Sequence, residues 1–184
     1  MDFELQPTTL QNELVKLIPL KKEDFEHLYK VASDPLIWEQ HPNKKRYQRD
    51  VFEIYFTGAM ESGGAFLVLD NTTAELIGSS RFYELNSEER SVAIGYTFLV
   101  RDHWGSVYNA ALKSIMIDYA CKFVNTVIFH IGSNNIRSQK AITKLGATKI
   151  SEVQMEYYGE QPQLNYIYQI AKDDWQKLDS FKLK

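Results

Sequence analysis

The sequence predicts an α+β fold, a mixed and mostly antiparallel sheet flanked by helices, and three observations lead to it. Residues 65–70 (AFLVLD), 76–85 (LIGSSRFYEL) and 91–100 (SVAIGYTFLV) are apolar runs containing β-branched and aromatic residues, separated by the turn-forming NTTAE and NSEER. Connections that short imply antiparallel neighbours. Residues 108–123 then place Tyr108, Ala111, Leu112, Ile115, Met116, Tyr119 and Phe123 at helical spacing, one apolar stripe facing a core. Beyond it, an apolar strand at 127–131 passes through two asparagines into an amphipathic helix at 135–145. With 184 residues the chain is long enough for one compact domain and short for two. A single domain over 1–184 is expected, with its core at about 14–171.

Taken in order, residues 14–20 (LVKLIPL) read as a short strand and 22–32 as a helix burying Phe25, Leu28, Tyr29 and Ala32. Asp34 and Pro35 restart the chain, since Asp caps a helix and Pro fits its first turn. The polar stretch HPNKKRYQRD leads into a helix at 51–60, ended by Ser62, Gly63 and Gly64. After the three strands, the helix at 108–123, the strand at 127–131 and the helix at 135–145 come strands at 148–157 and 164–171. An acidic-aromatic tail containing Trp175 closes the chain.

Composition narrows the function. At 44% hydrophobic and 24% charged residues the chain is globular in type. A formal net charge of -3 argues against nucleic acid as partner, because phosphate binding needs clustered Lys and Arg. It suits a cationic acceptor better, though weakly. Cys121 is the only cysteine, which excludes an internal disulfide, and beside Tyr119, Ala120 and Phe123 it reads as a buried small hydrophobe rather than a nucleophile. No His, Cys or carboxylate pair has a recognised metal-ligand spacing, so no metal is expected. The segment MDFELQPTTL lacks the basic and apolar regions of a signal peptide, and no apolar run nears the ~18 residues of a membrane span. The expected location is cytoplasmic, with no membrane partner.

The segment 127–147 (VIFHIGSNNIRSQKAITKLGA) carries the clearest functional signal. Asn135, Ser138, Lys144 and Gly146 stand at the spacing Asn-x-x-Ser, five residues, Lys-x-Gly. That wording resembles the acyl-CoA-binding end of the GNAT superfamily of N-acyltransferases, and the order of elements is similar to the GNAT order from about 14 to 171. The stretches VKLIPLKKEDFEHLYKVASDP and IGYTFLVRDHWG resemble the branch of Rim-type ribosomal-protein acetyltransferases. The resemblance implies a sheet split between its parallel middle strands, 91–100 and 127–131, with the pantetheine of the co-substrate acetyl-CoA between them. It puts Phe98, Leu99 and Val100 at the split, with backbone N–H groups near them as oxyanion donors. It further implies that Trp104, Gly105, Ser106, Val107, Tyr108 and Asn109 surround the pyrophosphate, where loop amides and a helix N-terminus attract an anion. The Rim-type pattern Trp-Gly-x-Gly-Tyr has Val107 in place of its second glycine. A β-branched residue at positive φ is an outlier, so either the loop takes another path or pyrophosphate is held less well. Asn135 would hold the cofactor or fix the split, with Ser138 and Lys144 near the phosphate arm. Without the resemblance, WGSVYN is an ordinary turn, and Asn135 a helix cap followed by solvated positions.

Acyl transfer from a thioester to an amine needs oxyanion donors and a route for the amine proton. Many family members carry a tyrosine seven residues after the motif asparagine as the acid for the departing thiolate; here that position is Ile142. Some peptide-acetylating relatives place a glutamate base five residues before it; here that position is His130, whose imidazole can accept a proton near neutral pH. A histidine in an apolar strand equally suits a buried structural role. Glu39 and His41, in Trp38-Glu39-Gln40-His41-Pro42, are further candidates that could meet an amine or simply end a helix. Glu84 is a weaker candidate, and His27 and His103 read as surface or loop residues. The implied activity is acetyl transfer from acetyl-CoA to a primary amine, on a protein N-terminus or a small molecule, by direct attack in a ternary complex. The alternative is a noncatalytic CoA-binding or partner-binding GNAT-like protein. A homodimer through the C-terminal strands stays open.

Overall fold

The computed structural model describes residues 3–8, 10–156 and 161–182. Among them, eight strands form one sheet: β1 (Leu10–Gln11), β2 (Val15–Pro19), β3 (Ala65–Asp70), β4 (Leu76–Asn86), β5 (Ser91–Leu99), β6 (Thr126–Gly132), β7 (Thr148–Met155) and β8 (Gln163–Ala171). Their spatial order is β1-β2-β3-β4-β5-β6-β8-β7. Every neighbouring pair is antiparallel except β5 with β6. The meander expected from short turns is therefore present as β3-β4-β5, and the mixed sheet as a whole matches the predicted class. The last residue of the strand expected at 148–157, Tyr157, lies outside the described residues.

Five helices cover the sheet: α1 (Phe25–Ala32), α2 (Arg49–Glu61), α3 (Tyr108–Ala120), α4 (Ile136–Lys144) and α5 (Lys172–Lys182). Leu28 and Ala32 of α1 and Phe52, Tyr55 and Phe56 of α2 pack with Leu67 and Phe98 on one face. Leu112, Met116 and Ile117 of α3 and Ile142 of α4 pack on the other face against Val68, Ile94 and Phe129, joined by Trp175 of α5. Fully burying such side chains contributes about 1.5–3 kcal/mol each, enough to hold helices of this length that would be marginal alone.

Three differences from the sequence reading have physical causes. The acidic tail is helical: Asp173 and Asp174 sit in the first turn of α5, where they complement the helix dipole, and Trp175 donates its indole N–H to Asp118 at 2.6 Å. The restart at Asp34 and Pro35 gives only a short 3-10 turn (Pro35–Trp38), with Asp34 accepting from the Leu36 N–H at 3.0 Å. The buried line on α3 is Leu112, Lys113, Met116, Ile117 and Ala120, rotated from the expected stripe, which leaves Tyr108, Ala111, Ile115, Tyr119 and Phe123 half-buried at its margin. A lysine thus occupies a core position.

Candidate active site

Two strands that start together and then part create the site. β5 and β6 pair only at Ser91↔Thr126, Val92↔Val127 and Ala93↔Ile128. Beyond those pairs β5 runs on to Leu99 and β6 to Gly132 without each other. A bulge lies where they separate: the register on β4 changes between Arg81↔Gly95 and Ser79↔Phe98, and Tyr96 takes φ 50. A bulge bends its strand and interrupts pairing. The strained residue is held from both sides, because the Tyr55 hydroxyl donates to the Tyr96 carbonyl at 2.6 Å and the Arg81 guanidinium lies 3.2 Å from the Tyr96 ring centroid.

A cavity of about 430 Å³ opens at this gap. It is lined by Phe98 and Leu99 of β5, by Trp104, Gly105 and Ser106 of the following loop, by Asn109 of α3 and by Asn135, Ser138 and Lys144 at and along α4. These nine sequence-predicted residues come together. Val100, Val107 and Tyr108 do not line it. The Val100 N–H is used in the sheet, donating to Ile77 at 2.8 Å. Tyr108 turns its hydroxyl to Asp70 Oδ2 at 2.5 Å, with His103 Nε2 3.5 Å from the same oxygen. The Tyr108 hydroxyl, followed by the Thr73 and Thr72 N–H groups, holds the Asp70 carboxyl down at about 2.

The Val107 question resolves in the backbone. Val107 has φ -74, comfortable for a β-branched residue, and the positive φ of 68 falls on Gly105. The loop does take another path, one that needs a single glycine. The Trp104 indole N–H donates to the Leu99 carbonyl at 2.9 Å, closing the far end of the gap, and the Arg137 guanidinium stacks 3.6 Å from the Trp104 ring centroid. Asn135 is both wall and cap: it is 5% exposed, and its side-chain oxygen accepts from the Ser138 N–H at 3.1 Å to start α4. Ile142 presents an apolar side chain to the cavity at the position where a tyrosine acid would stand.

Among the proposed catalytic residues, His130 lines the cavity from β6. Its Nδ1 lies 2.9 Å from the Tyr83 hydroxyl and 3.7 Å from Glu84 Oε2, and Glu84 occupies a second bulge, at φ 50 on β4. Burial pushes the His130 pKa down and Glu84 opposes that, so the imidazole is neutral at neutral pH. His41 also lines the cavity, packed edge-on to Trp38 at 5.0 Å. Burial, and after it the charges of Arg46 and Arg137, hold His41 near a pKa of about 3, far too weak a base for an ammonium proton. Glu39 is exposed and lies outside the cavity wall.

Among the wall residues that escaped the sequence reading are Arg46, Tyr83, Lys113 and Arg137. Arg46 comes from the stretch read as polar loop, yet it is 3% exposed and lies over the rings of Trp38, Tyr55 and Tyr96. With Lys140 and Lys144 these give a wall carrying five Lys and Arg side chains, and among the described residues no Asp or Glu lines it. The acidic net charge of the chain therefore has the opposite sign from its cavity. Cations on α4 and the N-terminal end of α3 suit phosphate groups.

Comparison with known proteins gives the family and the fold. A family model for the acetyltransferase (GNAT) domain matches residues 15–148. No curated protein matches the chain in sequence. Among solved structures, a spermidine N-acetyltransferase from Vibrio cholerae in complex with CoA and spermine is similar with TM-score 0.68 and 16% identity, covering 90% of this chain and 99% of that one. A GNAT-family acetyltransferase from Bacillus anthracis has TM-score 0.71 at 16% identity, covering 89% and 98%. Mycobacterium smegmatis RimJ in complex with CoA-disulfide has TM-score 0.69 at 12% identity, covering 87% and 83%.

Proposed function

Since the chain belongs to the GNAT family of acetyltransferases, we propose that it transfers an acetyl group from acetyl-CoA to a primary amine by direct attack in a ternary complex. The observation that carries this reading is the parting of β5 from β6 over a cavity of about 430 Å³. Backbone groups freed by the parting suit the amide groups of pantetheine, in the manner of an added strand. Gly105, Ser106 and the start of α3 would receive the pyrophosphate, with Arg137, Lys140 and Lys144 supplying positive charge.

His130 is the base in this reading. Glu84 beside Nδ1 favours the tautomer in which Nδ1–H donates to the Tyr83 oxygen, and Nε2 then keeps its lone pair for the amine proton. Tyr83 orients the ring and does not itself take the proton. The acceptor is a small-molecule amine or a peptide N-terminus, and the cationic wall favours one that is not a polycation. A pyrophosphate loop spoiled by Val107 would favour the noncatalytic alternative, and the ordinary φ of Val107 removes that support.

Calorimetry with CoA and acetyl-CoA, followed by thiol release across a panel of amines, tests the reading. Micromolar binding and turnover of at least one amine are expected. Absence of binding at millimolar CoA would overturn it.

A further inference from the structure

Lys113 is the one lysine in the buried line of α3. It is 7% exposed, yet it lines the cavity. Its Nζ donates to Thr97 Oγ1 at 2.5 Å and lies 5.9 Å from the ring centroid of Phe129. Thr97 is on β5 and Phe129 on β6, beyond the last paired residues of each strand, so the amine sits in the gap where the strands have separated. Thr97 is itself held: its hydroxyl is 2.8 Å from that of Ser80 and donates to the Gly95 carbonyl at 3.3 Å. A buried amine so fixed costs desolvation energy, and packing alone does not need it.

We propose that Lys113 protonates the departing CoA thiolate, with Thr97 positioning its amine. The inference rests on the acetyltransferase reading above and supplies the acid that Ile142 does not provide. In the step, the acceptor nitrogen forms its bond to the thioester carbon, the carbon–sulfur bond breaks, and sulfur leaves with the bonding pair. Sulfur takes a proton from Lys113 Nζ while His130 takes the surplus proton of the acceptor nitrogen; exchange with solvent returns the proton from His130 to Lys113.

The surroundings suit an amine that gives up its proton readily. The charged or titratable groups facing the same cavity are His41 and Arg46 before α2, His103 before α3, His130 on β6, and Arg137, Lys140 and Lys144 on α4. Tyr83 and Tyr96 face it from β4 and β5. None is a carboxylate, and burial brings Lys113 down to about 7.

The test uses free CoA, so it needs no knowledge of the acceptor. Ultraviolet absorbance of the CoA thiolate is titrated on the wild type, Lys113→Met and Lys113→Arg, with CoA affinity measured by calorimetry. An ammonium beside sulfur favours the thiolate, so near pH 7 the wild type and Lys113→Arg hold roughly tenfold more thiolate than Lys113→Met. With acetyl-CoA and an acceptor amine, kcat falls ~100-fold in Lys113→Met and in Lys113→Arg, whose guanidinium does not release its proton, while KM for acetyl-CoA changes less than about threefold. Equal thiolate fractions in wild type and Lys113→Met overturn the proposal, as does an undiminished kcat in that variant. If wild-type protein fails to bind CoA, the acetyltransferase reading falls first. If it binds CoA but Lys113 leaves the thiol unaffected, this proposal falls alone.

Discussion

His130 lines the cavity, as a candidate read from the sequence alone, yet the group its ring meets stayed hidden in that sequence. Its place in the strand was legible from spacing; the Tyr83 hydroxyl 2.9 Å away was not, because the pairing of β6 with β5 and β5 with β4 decides which side chains meet. Substituting His130→Ala is expected to lower kcat ~100-fold with little change in CoA affinity, read by steady-state kinetics and calorimetry. The sign of its pH effect follows from burial. A base whose pKa is lowered below the usual 6.5 is neutral and active above that pKa, and activity is lost as pH falls through it. The variant therefore loses the acid limb of the pH–rate profile and keeps the alkaline one, whereas a retained acid limb would assign His130 a purely structural role. Val107 teaches the opposite lesson. The missing second glycine left two outcomes open, another loop path or weaker hold on pyrophosphate, and at φ -74 no glycine is needed. Val107→Gly is expected to leave CoA affinity within about twofold by calorimetry, since the strain that glycine relieves is absent; a large gain in affinity would mean that the valine does obstruct phosphate.

At the level of elements, periodicity located strands and helices where apolar residues repeat and failed where other forces decide. The meander and α4 were readable from turn residues and from the cap at Asn135. α5 was not, because its ordering depends on Trp175 reaching across to Asp118 and not on an apolar stripe of its own. The phase of α3 was misjudged for a related reason: lysine is expected at the surface, so Lys113 could not be counted in the buried line. The cap at Asn135 links stability to binding. Asn135→Ala removes the acceptor for the Ser138 N–H and should cost about 1 kcal/mol in urea denaturation. It should also weaken CoA binding, since α4 carries Ser138 and Lys144 into the cavity wall. Loss of stability with unchanged CoA affinity would confine Asn135 to capping.

For the molecule as a whole, net charge proved a poor guide to the cavity, since a chain of formal charge -3 concentrates Lys and Arg around one gap. A panel comparing spermidine and spermine with singly charged amines and amino acid amides should give the polyamines the lower kcat/KM, through like-charge repulsion with the cavity wall. Preference for polyamines would show that acidic groups outside that wall govern the acceptor. The parted strands have a mechanical consequence as well. Among the described residues, β5 and β6 pair at only three positions at one end, so beyond them the β1–β5 and β6–β8 parts of the sheet face each other across an unpaired seam. A pantetheine laid along the seam, as the proposed function requires, would stitch both lips at once and stiffen the protein as it loads. Amide hydrogen exchange should reveal this as slowing on both lips when CoA is added, at 96–99 and at 129–132, while the distant β2–β3 ladder exchanges as before.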